Sequence, residues 1–66
     1  MMTQYVSECL DGMYAERTKA GLSRKEVSQR SGIHIGCIAH YENGTRNIGR
    51  KNFNRLARVF GWEVWK

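Results

Sequence analysis

Apolar residues return at helical spacing along this chain, and glycines punctuate the gaps. Val6, Cys9, Leu10, Met13 and Ala20 form a first stripe, which predicts a helix over residues 3–20 with Thr3 as its N-cap. Gly12 falls near its middle and weakens it by about 1 kcal/mol relative to alanine. Gly21 ends this helix and Leu22 enters the core. Ser23 then offers an N-cap with Glu26 three residues on, the pattern of a capping box, and predicts a short helix ending near Ser31. Gly32 suits the left-handed conformation that closes a helix, and Ile33 follows as an apolar plug. A third helix is predicted over residues 34–42, with Ile38 and Tyr41 on one face and Asn43-Gly44 as its stop. After a polar loop, Phe53, Leu56, Ala57 and Phe60 recur at i, i+3, i+4 and i+7, predicting a fourth helix over 50–60 that Gly61 ends. The expected fold is all-α, a small four-helix domain.

Residues 23–44 thus hold two short helices, a glycine turn between them and an apolar residue just after it, which make a helix-turn-helix. The order of residues resembles the Cro/phage-repressor (XRE-like) helix-turn-helix family. The marks are Leu22-Ser23, Glu26-Val27, Gly32-Ile33, Ile38 and the exit Tyr41-Glu42-Asn43-Gly44, within a resemblance extending from about Arg17 to Trp62. The chain departs from the family at Ser28, where Ala is usual, at Gly36, where a polar residue is usual, and near Ile48-Gly49, where Pro-Ser is usual. The resemblance implies a lambda-repressor-like DNA-binding fold and a transcriptional regulator, most often a repressor, working as a homodimer on a two-fold site of double-stranded DNA. It also implies that Arg17 pairs with Glu42, tying the motif to the first helix.

Length and charge sharpen this picture. Sixty-six residues make one domain at most, with a modest core and no room for an inducer-binding or catalytic domain. Of the 11 Lys and Arg residues, eight lie within 23–61 against two acids there, whereas residues 1–22 hold three acids and two bases. The positive excess therefore begins at the motif, as a polyanion-binding face requires. The two cysteines, Cys9 and Cys37, are in no CxxC arrangement, which fits a reducing cytoplasm better than a disulfide framework. No apolar run approaches a membrane span, and the N-terminal residues lack the order of a signal peptide.

A single helix fits the B-DNA major groove, with its N-terminal residues at the base edges. By position, His34, Ile35, Gly36 and His40 are expected to face DNA, with Cys37 a neighbour or at the core edge. Arg24 occupies the other polar contact position of the resembled family. Ile35 suits a thymine methyl and His40 a guanine acceptor, while Gly36 permits close approach. A contact made by a charged imidazole makes binding pH-sensitive near the free value of about 6.5. Phosphate contacts are expected from Ser23, Lys25, Asn43, Thr45, Arg46 and Asn47, and from Arg50, Lys51 and Asn52 at the opening of the fourth helix.

Other readings are weaker. His34, Cys37 and His40, with Cys9 spare, are residue types that bind zinc, but the two histidines stand about 120° apart around the helix. No Ser/His/Asp signature or phosphate-cradling loop points to an enzyme, and no cofactor is expected. The tail Trp62-Glu63-Val64-Trp65-Lys66 puts Trp62 in the core. It leaves Val64 and Trp65 either as a homodimer contact, such as a short strand, or folded back on their own domain. The rival function is a protein-interaction module of antitoxin type, whose partner is a toxin or co-regulator.

Overall fold

The computed structural model describes residues 4–66. Helices α1 (Gln4–Asp11), α2 (Met13–Lys19), α3 (Arg24–Ser31), α4 (Ile35–Asn43) and α5 (Arg50–Phe60) follow one another, with no strand among the described residues. The expected N-cap Thr3 lies outside the described residues.

The helix anticipated over 3–20 is divided at Gly12, whose φ of −92° and ψ of 4° leave the helical basin. The break is shallow. Gly12 N still donates to Glu8 O at 3.1 Å, and Glu16 N donates to Gly12 O at 2.9 Å. Val6, Leu10 and Met13 keep one buried stripe across it. The next position on that stripe is Arg17, which is buried, whereas Ala20, assigned to the stripe from its spacing, is exposed. The helix closes at Ala20 and the chain reverses just after it, where Gly21 adopts a φ of +73° and Leu22 N donates back to Arg17 O at 3.0 Å.

The capping box at α3 is complete. Ser23 Oγ accepts from Glu26 N at 3.1 Å, and Ser23 N donates to Glu26 Oε1 at 3.1 Å. The Ser23 backbone amide, then its hydroxyl, hold the Glu26 carboxyl below its ordinary value of 4.5. A carboxyl lowered in the folded state contributes stability above its unfolded value, and that contribution is lost as pH falls through the folded one. Glu26→Gln keeps a side chain suited to the box but does not titrate. Its Tm at pH 7 is therefore expected to stay close to that of the parent, while the decline in Tm below about pH 4.5 becomes shallower. Parallel acid-melting curves for the two proteins would reject the Glu26 contribution.

Val6, Met13, Val27, Ile38, Phe53 and Leu56 are the largest side chains removed entirely from solvent. Phe53 is the hub of an aromatic cluster: Trp62 stacks on it with centroids 5.4 Å apart, and Tyr5 and Trp65 meet it edge-on at 6.5 and 6.0 Å. The tail is folded back on its own domain. Asn54 Oδ1 accepts from Trp65 N at 2.6 Å and Asn54 Nδ2 donates to Trp65 O at 3.0 Å, so one side chain replaces the strand partner that the tail lacks. This places Trp65 at the core boundary and leaves Val64 54% exposed.

Candidate nucleic-acid interface

The α3–turn–α4 unit is built from local polar bonds over a shared apolar floor. Gly32 closes α3 at a φ of +76°, a conformation costly for residues with a Cβ. Ser28 Oγ donates to Ile33 O, and Ser31 Oγ accepts from Ile33 N at 3.2 Å. Two serine hydroxyls thus satisfy the backbone on both sides of Ile33, and Ile33 itself is buried. The hydroxyl at position 28 has a structural use that an alanine there would lack.

His34 is the N-cap of α4. Its Nδ1 accepts a hydrogen bond from Gly36 N at 3.0 Å, a task ordinarily given to a serine, threonine or asparagine oxygen. Ile35 is 42% exposed at the first turn, whereas Ile38 and Tyr41 are buried on the opposite side. His40 lies exposed near the helix end, its Nδ1 2.7 Å from Thr45 Oγ1. Thr45 N also donates to His40 O at 3.0 Å, closing α4 with Gly44 in the left-handed region. Thr45, expected at a phosphate, is exposed and also bonds His40 and the helix end.

The loop after α4 doubles back. Arg46 Nη1 donates to Cys37 Sγ at 3.4 Å, which brings a guanidinium against the first turns of α4. Cys37 is half-buried and packs on the core, so it belongs to the core edge more than to the open face. Ile48 is buried and anchors the loop. Arg50 and Lys51 are exposed at the start of α5, whose N-cap Gly49 provides no side-chain cap for the first amides. Arg50 also lies over the Trp65 ring, 5.9 Å from its centre. Asn52 points elsewhere: its Nδ2 donates to Tyr41 Oη at 3.1 Å, pinning α5 to α4.

Glu42 organises the back of the unit. Arg17 Nε donates to its carboxylate at 2.7 Å and Arg24 Nε at 2.8 Å, while Arg17 Nη1 donates to Leu22 O at 3.0 Å. The Glu42 side chain is 2% exposed, that of Arg17 11% and that of Arg24 40%. Arg24 is thus held through one nitrogen with the rest of its guanidinium toward solvent. Lys25, Asn43 and Asn47 are exposed, and Ser23 is occupied by its capping box.

Sequence reasoning did not find the roles of Ser28, Ser31 and Asn52, nor the second arginine on Glu42. Only the two serines left a signal, flanking the Gly32 turn as they do. Among the described residues no group of three or more His, Cys, Asp or Glu side chains is gathered as a metal site. Both cysteines are free, and burial raises the Cys9 thiol against a weaker opposing bond from Tyr5. No helix among the described residues is long and apolar enough to cross a membrane. A family model described as helix-turn-helix matches residues 13–63. No curated protein and no solved structure matches the chain.

Proposed function

Because the chain belongs to the Cro/phage-repressor (XRE-like) helix-turn-helix family of DNA-binding regulators, we propose that it binds duplex DNA sequence-specifically, inserting α4 into the major groove, and acts as a repressor that excludes polymerase from a promoter. The observation that carries this reading is the two-sided character of α4. Ile38 and Tyr41 seal one side into the core, while Ile35 and His40 are open on the other, with half-buried Gly36 between them and the Arg46 guanidinium against the same helix. Base reading is assigned to His34, Ile35, Gly36 and His40. Lys25, Asn43, Arg46, Asn47, Arg50 and Lys51 hold phosphates, and Arg24, anchored on Glu42 through one nitrogen, joins the base-reading set.

Selection from a pool of random duplexes is the test. An inverted repeat with half-site centres about 34–36 Å apart, one helical turn, is expected for a two-fold dimer. A bound fraction with no enriched sequence at moderate salt would overturn the DNA reading. The proposed two-fold contact runs through Val64, exposed beside Tyr5 and Glu63 in an open groove. Val64→Glu is expected to convert a sedimenting dimer to folded monomers whose Tm no longer depends on concentration, since Val64 is not in the core. A variant that stays dimeric places the contact elsewhere.

The same groove favours one rival, an antitoxin-type interaction module that docks a toxin or co-regulator on its apolar side. Binding through that groove would respond weakly to salt and to substitutions on α4.

A further inference from the structure

The N-cap of α4 carries information about chemistry as well as about folding. A backbone amide can only donate, so the imidazole nitrogen that faces Gly36 N at 3.0 Å holds a lone pair. The ring is then neutral with its one proton on Nε2, because a proton on Nδ1 would set N–H against N–H. Nε2 lies on the far side of the ring from the helix and has no partner among the described residues, and His34 is exposed. The cap therefore selects one tautomer and turns a donor outward.

Gly36 completes the arrangement. A Cβ built on it would stand 3.1 Å from His34 Nδ1 and 3.3 Å from Cε1, closer than ordinary contact. Its backbone is regular helix, so glycine is not required there by conformation. What it provides is room for the imidazole to close over the helix end. This accounts for a glycine at a position where the resembled family usually has a polar residue.

Resting on the DNA-reading function above, we infer that His34 rejects cytosine and favours guanine at one position, as a neutral imidazole whose Nδ1 caps α4 and whose Nε2–H donates to an acceptor on the base edge. A fixed donor needs an acceptor. In the major groove guanine offers two, N7 and O6, adenine offers N7 and thymine O4, whereas cytosine offers only the N4 donor, so a fixed donor rejects cytosine and finds most acceptors on guanine. Gly36 is a positioning residue in this scheme and touches no base.

His34→Ser tests the inference, because serine is a favoured N-cap and keeps the helix while removing the outward donor. In parallel selections the parent is expected to enrich a half-site with one position depleted of cytosine and richest in guanine. In the serine variant, preference at that position alone should fall about tenfold, with an unchanged Tm. An identical consensus and affinity in the two proteins would overturn the inference. So would a uniform loss of affinity without a change of preference, which marks a phosphate contact. If the parent itself enriches nothing, the DNA reading fails and takes this inference with it. Nitrogen-15 spectra of the free protein separate the two failures, since they need no DNA. Nε2–H with a bare Nδ1 is expected at pH 7.5, and is expected to be lost in Gly36→Ala. An Nδ1–H ring in the parent overturns the inference by itself.

Discussion

Glu42→Ala is expected to lower the stability of this domain by about 3 kcal/mol or more, the range found when one partner of a buried ion pair is removed. The reason is the company Glu42 keeps. Its side chain is 2% exposed and receives two guanidinium groups, one of them on Arg17, whose side chain is 11% exposed. Removal of the carboxylate leaves the Arg17 charge desolvated and without a counter-ion. Arg24, at 40% exposure, is already solvated and loses little. A chain of 66 residues has a total stability of only about 3–10 kcal/mol, so the loss is comparable to the whole. In a thermal melt each kcal/mol is worth about 4–8 °C for a domain this small, so Tm is expected to fall by more than about 12 °C. The double variant Arg17→Met/Glu42→Leu should recover much of that loss, since it removes both buried charges together. An unchanged Tm for Glu42→Ala would show that the pair contributes nothing. A double variant as unstable as the single one would show that the loss comes from packing at Glu42 and not from the stranded charge.

The affinity for DNA is expected to fall by about 10⁴-fold between 50 and 200 mM salt. Lys25, Arg46, Arg50 and Lys51 on each of two protomers would neutralise about eight phosphates, and each neutralised phosphate releases condensed counterions. The slope of log K against log salt is then about −7. Arg46→Ala should weaken all sequences about equally and make the slope shallower by about 1 for each copy bound. Arg46 is the most informative of the four because the structure fixes it, through the Cys37 sulfur, beside the reading helix. A slope near zero, measured with the selected site, would move the contact from the basic face to the apolar groove at Tyr5 and Val64, and with it the function to protein recognition.

These expectations draw differently on the chain and on its folded form. The helices whose signals are local were legible in advance. Ser23 and Glu26 announce the start of α3 and Gly32 its end, because capping bonds join residues only three or four apart. The amphipathic run Phe53, Leu56, Ala57 and Phe60 gave α5 with its observed bounds, because a 3.6-residue period admits only one apolar face. Arg17 and Glu42 were named through the family resemblance, although the chain separates them by 25 residues.

Residues that face two environments were harder to read. His34 carries the features of a reader, but the amide of Gly36 claims one of its nitrogens first. Thr45, expected at a phosphate, also bonds the end of α4 through its hydroxyl and amide. Asn52 sits with two basic residues at a helix opening, yet the angle between α4 and α5 turns it to Tyr41. In each case the side chain can make either bond, and the choice depends on which partner the packing brings within 3 Å.

The sequence by itself determined where α3 and α5 begin and end, most of the apolar residues buried along the helices, and that positive charge accumulates from the motif onward. Those properties follow from spacings of a few residues and from composition. Only the tertiary structure decided that Arg24 shares Glu42 with Arg17, that Asn52 turns to Tyr41, and that Trp65 returns to Phe53 under the hold of Asn54. Those outcomes join residues far apart in the chain or trade one partner for another. No local pattern encodes them, because their energies depend on the burial that the assembled helices create.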